Sequence, residues 1–195
     1  ALRPDLILAN REENTRAMVD ALDAVAPVYV TEVRDLPGAL AMIRAVGRLT
    51  GRTEKAEVLA GEIEAAFAAL PAYPPLRAAY LIWRDPLMTV GRDTFIHAVL
   101  ARAGLVNVFG DRTRYPEITE ADLAAARPDV VLLSSEPYPF TRAHAAALRT
   151  GLPASTRVRL VDGEPFSWYG SRLRETPAYL HRLRRDLAAR RPASR

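Results

Sequence analysis

The sequence predicts an α/β protein built as two Rossmann-like β/α lobes joined by a long bridging helix, and three observations predict it. First, Arg3-Pro4-Asp5-Leu6-Ile7-Leu8 returns 124 residues later (3 to 127) as Arg127-Pro128-Asp129-Val130-Val131-Leu132, and at that offset Glu12 falls on Glu136. Solenoid units recur every ~20–50 residues, so this spacing reads as two similar lobes, each with an Arg-Pro-Asp turn feeding a buried strand. Second, short apolar runs alternate with helical patterns on both sides of Pro71-Ala72-Tyr73-Pro74-Pro75, a stiff linker and the clearest boundary in the chain. Third, no proline interrupts residues 38–70, where Leu40, Ile43, Leu49, Leu59, Ile63, Phe67 and Leu70 keep a helical rhythm. Read as one helix, that stretch is a strut of about 50 Å at 1.5 Å per residue.

The elements follow in order. Residues 5–9 are an apolar run after a proline, the pattern of a buried parallel strand. Residues 12–25 carry Met18, Leu22 and Val25 at helical spacing, and Pro27 to Thr31 is β-branched and aromatic, a second strand. The bridge occupies 36–70, with Gly51 the natural corner if it is two helices instead of one. Past the linker come a strand at 78–83, a helix at 93–103 with Phe95, Val99 and Ala103 on one side, and a helix at 119–126 capped by Thr119 with Asp122 in its first turn. A strand at 129–134, a helix at 141–149, a strand at 157–161 and a C-terminal helix complete the second lobe. In that last helix Thr176 and Pro177 read as N-cap and first helical position. The organisation is thus 1–35 for the N-terminal lobe, 36–70 for the bridge and 71–195 for the C-terminal lobe.

Composition narrows the function. The chain has 195 residues, 49% hydrophobic and 26% charged, with 27 basic and 23 acidic side chains for a net charge of +4. No apolar run approaches the ~20 residues that span a bilayer, and no signal peptide stands at the start. The abrupt opening in a strand reads as a processed or truncated chain. Arg182, Arg184, Arg185, Arg190, Arg191 and Arg195 crowd the tail without interleaved aromatics, so the tail reads as a solvated helix end and not a nucleic-acid surface. Zero cysteines exclude disulfides and thiolate metal sites. His97, His144 and His181 are scattered over helices without metal-ligand spacing and read as surface or packing residues. No G-x-x-x-x-G-K-[ST], G-x-G-x-x-G or G-x-S-x-G pattern occurs.

The informative residues lie in loops that follow strands: Trp83-Arg84-Asp85-Pro86, Glu136-Pro137-Tyr138-Pro139-Phe140 and Phe166-Ser167-Trp168-Tyr169-Gly170, with Arg114-Tyr115-Pro116-Glu117 before a helix. Open α/β sheets bind ligands at strand C-termini, and aromatics with a few polar groups suit a large, partly planar ligand. Trp83, Arg84, Tyr115, Trp168 and Tyr169 are the candidate ligand-binding residues.

The order of Arg3 to Ala9, Trp83-Arg-Asp-Pro-Leu-Met-Thr-Val-Gly91, Tyr115-Pro-Glu-Ile118, Arg127-Pro-Asp-Val-Val-Leu-Leu-Ser-Ser-Glu-Pro137 and Asp162-Gly163 resembles the cobalamin and ferric-siderophore binding proteins of ABC importers, the class III periplasmic substrate-binding proteins. The resemblance covers essentially the whole chain and implies that the first lobe is incomplete here. It implies a non-catalytic receptor on the periplasmic or extracellular side that delivers a ferric siderophore, cobalamin or haem to a permease. No intrinsic cofactor and no bare-metal site are implied. It also implies one docking acid on each lobe for permease arginines, for which the repeat nominates Glu12 and Glu136, with Glu13 as substitute; acids favoured by a helix N-terminus are the competing explanation. Arg84, Arg92, Arg112, Arg114 and Arg172 flank the aromatic loops, and arginine forks suit carboxylate or catecholate oxygens. An anionic siderophore or a corrinoid is therefore expected ahead of free zinc or manganese. Two rivals remain: a small α/β enzyme in which Asp85, Asp93, Glu117 and Glu136 converge, and a truncated fragment that binds nothing.

Overall fold

A computed structural model describes residues 2–189, and the chain divides into two compact units, residues 1–33 and 34–195. The first unit is one β-α-β turn. Strand β1 (Ile7–Asn10) pairs in parallel with β2 (Val28–Thr31), Ile7 opposite Val28 and Asn10 opposite Thr31. Between them runs α1 (Arg16–Asp23), started by the Thr15 hydroxyl, which accepts the Met18 N–H. None of the α1 side chains is buried.

The second unit opens with two helices, α2 (Leu36–Leu49) and α3 (Thr53–Ala68). The single strut expected over 36–70 is corrected here: the chain reverses at Thr50–Arg52. Gly51 takes a left-handed φ of 66°. Its N–H bonds Arg48 O and the next N–H, from Arg52, bonds Gly47 O. This is a Schellman ending, which uses glycine because a Cβ resists that conformation. The helices then pack on each other, Arg44 Nε reaching Glu57 Oε2 at 2.8 Å. A Cβ on Gly47 would collide with Ala56.

The remaining strands form one five-stranded sheet separate from β1–β2, so the two strand sets do not share a sheet, as two lobes require. Its strands are β3 (Leu76–Trp83), β4 (Met88–Thr89), β5 (Leu105–Asn107), β6 (Val130–Ser134) and β7 (Arg157–Val161). β3 pairs in parallel with both β5 and β6, and β6 in parallel with β7, while β4 returns antiparallel beside the C-terminal half of β3. Among the parallel strands the spatial order is β5-β3-β6-β7. The chain therefore changes direction across the sheet between β3 and β6, the topological switch point where such sheets receive ligands.

Side chains alternate across this sheet because successive Cβ atoms point to opposite faces. Ala79, Leu81, Val131, Leu133 and Val158 join a core with Leu123 of α5 (Glu120–Ala125) and Ala145 and Leu148 of α6 (Arg142–Thr150). On the other face Tyr80, wholly buried, meets Phe166 of the one-turn helix α7 (Glu164–Ser167), ring centroids 4.9 Å apart. α4 (Phe95–Arg102) and α8 (Thr176–Ala189) complete the unit. Phe95, Val99 and Ala103 are buried together as the spacing of that helix predicts.

The cap expected on α5 is present. Thr119 and Asp122 form a reciprocal capping box on α5. At α8 the expectation is corrected: Thr176 is buried inside the first turn and its hydroxyl donates to Pro165 O. The solvated-tail expectation fails at Arg184. That guanidinium is buried, lies 5.3 Å over the Tyr73 ring and donates to Pro74 O, pinning the proline linker to α8. Arg190, Arg191 and Arg195 lie outside the described residues.

Candidate functional site

The loops after β3, β6 and β7 meet at the C-terminal rim of the second sheet, on either side of the switch point. Asp85–Pro86 after β3 and Glu136–Pro137 after β6 are both cis. The two loops are joined: the Tyr138 N–H bonds Ile82 O, and the Tyr138 ring meets Trp83 edge-on at 5.6 Å and Phe140 at 4.8 Å. The Trp83 indole N–H donates to Asp85 O, closing its own loop.

The loop after β7 is tied to the loop after β6 by one carboxylate. Glu136 Oε1 accepts from Ser167 Oγ at 2.6 Å and from the Trp168 indole N–H at 2.8 Å. Gly163 makes this approach possible, since a Cβ there would stand 2.6 Å from Glu136 Cγ and collide with Ser134 Oγ. Arg172 lies 5.0 Å over the Trp168 ring and pairs with Glu164. Beneath these loops Tyr80 donates to Ser134 Oγ at 3.0 Å, and Ser134 donates to Glu136 O at 2.6 Å. Burial pushes the Tyr80 phenol well above its ordinary value, so it remains a neutral donor.

The expected site residues are therefore placed unevenly. Trp83 and Trp168 stand on the rim, 39% and 45% exposed. Arg84 neighbours Trp83, its Nε 3.6 Å from Asp85. Tyr169 meets Phe95 at the start of α4, centroids 5.4 Å apart. Tyr115 sits on a segment that runs antiparallel to 87–92, where Thr89 N bonds Pro116 O and Gly91 N bonds Arg114 O. Its ring stacks with Arg114 at 5.4 Å. Tyr138 and Ser167, members of the strand-end loops, and Gly163 of the Asp162-Gly163 pair complete the rim beyond the five candidate ligand-binding residues; the signal for them is the spacing of the β6 and β7 loops, which becomes visible only once the two strands are paired.

The carboxylates of the enzyme alternative are held at separate stations. Asp85 faces Arg84, Glu136 serves Ser167 and Trp168, and Glu117 lies on the exposed strip bridged to Met88. Asp93 accepts the Arg114 N–H at 2.5 Å, and that bond holds its carboxyl below the usual range. The histidines have structural partners: His97 lies 3.3 Å from Asn107 Nδ2, His144 caps α6 through Thr141, and His181 contacts the Tyr73 hydroxyl at 2.9 Å. No group of three or more His, Asp or Glu suited to a metal ion occurs among the described residues. Two open grooves are lined by none of the rim residues. One, of about 570 Å³, is in the first unit beside Arg11, Asn14 and Asp20; the other, of about 370 Å³, lies along α3 beside Val58, Glu62 and Arg174.

Comparison with known proteins agrees with this geometry. The vitamin B12-binding protein of Salmonella typhimurium is 26% identical over 148 residues, 70% of this chain and 53% of that protein. The protein of the same description from Pectobacterium atrosepticum is 26% identical over 144 residues, 68% of this chain and 52% of its own length. The chain thus spans about half the length of the curated relatives it matches. Among solved structures, a periplasmic heme-binding protein from Pseudomonas aeruginosa superposes with a TM-score of 0.74 at 24% identity, over 100% of this chain and 74% of that one. The vitamin B12-binding protein BtuF of Vibrio cholerae gives 0.72 at 17% identity, over 96% and 76%. These relatives are binding proteins, not enzymes, and their fold is the two-lobed α/β class. The profile described as periplasmic binding protein matches residues 1–148, and the chain belongs to that family.

Proposed function

We propose that this protein is the solute-binding component of an ABC importer for a metal chelate, acting in the periplasm or at the extracellular face of the membrane. We further propose that the strand-end rim of its second unit is part of the chelate's wall. The observation that carries the reading is the pair of half-exposed tryptophans, Trp83 after β3 and Trp168 after β7, each tied to the loop after β6 that lies between them. Aromatic faces suit large, flat, partly apolar ligands.

Within the chelates, this rim favours a tetrapyrrole-type macrocycle, cobalamin or haem, over a siderophore read by net charge. Of the five arginines expected to supply positive charge, two face carboxylates of the protein itself and two more are held in place by main-chain carbonyls. Arg172 pairs with Glu164, Arg84 faces Asp85, Arg92 donates to Asp111 O, and Arg112 donates to Glu117 O. The names of the relatives, which bind vitamin B12 or heme, point the same way. The proposed ligand-binding residues are Trp83, Arg84, Tyr115, Trp168 and Tyr169. Glu12 and Glu136 are the proposed docking acids for the permease, although Oε1 of Glu136 already serves Trp168.

Titration of the full-length protein with cyanocobalamin, haemin and a ferric hydroxamate, followed by tryptophan fluorescence and ligand absorption, tests this. Saturable binding of at least one macrocycle is expected, with a roughly tenfold loss of affinity in Trp168→Ala from the missing aromatic contact. Absence of binding to all three probes overturns the receptor reading. Binding of only the hydroxamate overturns the macrocycle preference.

A further inference from the structure

We infer that Glu136 is a positioning residue that locks Trp168 into one orientation before any ligand arrives, a role that rests on the rim being the chelate's wall. A surface tryptophan has two side-chain torsions to restrict, and restricting them on binding costs affinity. Here they are restricted in advance. The indole N–H is held by the Glu136 carboxyl oxygen at 2.8 Å, and one ring face lies under the Arg172 guanidinium at 5.0 Å. Arg172 is in turn paired with Glu164, so the cation over the ring is itself anchored. The exposed 45% of the residue remains for a partner.

The carboxylate is held by one further donor, and the Glu136 backbone by a buried relay. Ser167 Oγ donates to the same Oε1 at 2.6 Å, the Glu136 backbone carbonyl accepts from Ser134 Oγ, and Ser134 takes the buried Tyr80 hydroxyl. Tyr80 is packed under Phe166, two residues before Trp168. The chain of contacts thus runs from the sheet interior to the indole edge, through β3, β6 and the loop after β7. Such support behind a contact residue is what keeps a binding group at its productive geometry. Gly163 is required for it, because any side chain there would displace Glu136.

The test is direct, since these 195 residues contribute two side-chain signals to an indole-¹⁵N spectrum, each assigned from its own Trp→Phe variant. In Glu136→Ala the Trp168 indole signal is expected to move upfield while the Trp83 signal stays, and affinity for haemin or cyanocobalamin falls about tenfold, the scale of a hydrogen bond to a charged group. Glu136→Gln keeps an oxygen acceptor and is expected to restore most of the indole shift and part of the affinity. An unmoved Trp168 signal in Glu136→Ala overturns the lock. A moved signal with affinity within twofold of the unsubstituted protein overturns its role in binding. If the unsubstituted protein binds neither macrocycle nor the ferric hydroxamate, the receptor reading fails, and the indole signal alone then decides whether the lock exists.

Discussion

Strands β1 and β6 carry the same Arg-Pro-Asp lead and nearly the same apolar run, yet Leu8 is 48% exposed and its counterpart Leu132 is 0% exposed. The difference lies in the neighbours. β6 is flanked by β3 and β7, so it is enclosed in the plane of the sheet and covered on both faces. Among the described residues β1 pairs with β2 alone, and α1 between them buries no side chain. The lead differs too. Asp129 Oδ2 accepts the Arg77 N–H at 2.8 Å, and Arg77 bonds the carbonyls of Ala126 and Arg127. Arg3, Pro4 and Asp5 are exposed. An Arg-Pro-Asp-apolar pattern is therefore a strand signal whose energetic weight is set by what lies beside it.

The largest effect that tests this comparison is a matched pair of truncations. Leu132→Ala removes a fully enclosed side chain and is expected to cost about 2–5 kcal/mol, whereas Leu8→Ala is expected to stay within about 0.5 kcal/mol. Urea unfolding followed by circular dichroism reads both as shifts in the midpoint. Equal shifts would mean that β1 is as enclosed in solution as β6.

A smaller pair asks the same of the lead. Asp129→Ala removes the side-chain acceptor of the Arg77 N–H, at the second residue of β3, and is expected to cost about 1 kcal/mol, with Asp5→Ala near zero. Amide exchange at Arg77 is the sharper reading, because it should accelerate in Asp129→Ala and remain unchanged in Asp5→Ala.

What was legible in the sequence was local. Strand positions, the capping box of Thr119 and Asp122, and the burial of Phe95, Val99 and Ala103 are all written within a few residues of one another. The helix break was legible as well: Gly51 two residues after Leu49 is the glycine a Schellman ending needs, but apolar periodicity on both sides outweighed it. The site was legible as a set of strand-end loops and not as a set of contacts. Glu136 and Trp168 are 32 residues apart, and the pairing of β6 with β7 is what brings their loops together. Tyr115 and Tyr169 are aromatic residues in similar loops, yet each packs within its own neighbourhood, on Arg114 and Phe95 respectively. Proximity of a loop to a strand end does not fix the direction of its side chains.

The smallest expected effect isolates backbone conformation from side-chain contact. Arg127 ends the turn after α5 with a φ of 46°, in the left-handed region where a Cβ costs on the order of 1 kcal/mol. Its side chain is exposed, while its carbonyl is held by Arg77. Arg127→Gly keeps that carbonyl and relieves the Cβ, against a higher conformational entropy in the unfolded chain of about 0.5–1 kcal/mol. The net expectation is a stabilisation of a few tenths to about 1 kcal/mol, or about 1–3 °C in Tm for a chain of this length. Arg127→Ala retains the Cβ and is expected to show no gain, which separates backbone relief from loss of the guanidinium. Arg3→Gly, at the same place in the repeat but with no left-handed φ, is expected to be neutral or slightly destabilising. A rise in Tm for Arg127→Ala equal to that for Arg127→Gly would show that the side chain, and not the backbone, distinguishes the second copy of the turn from the first.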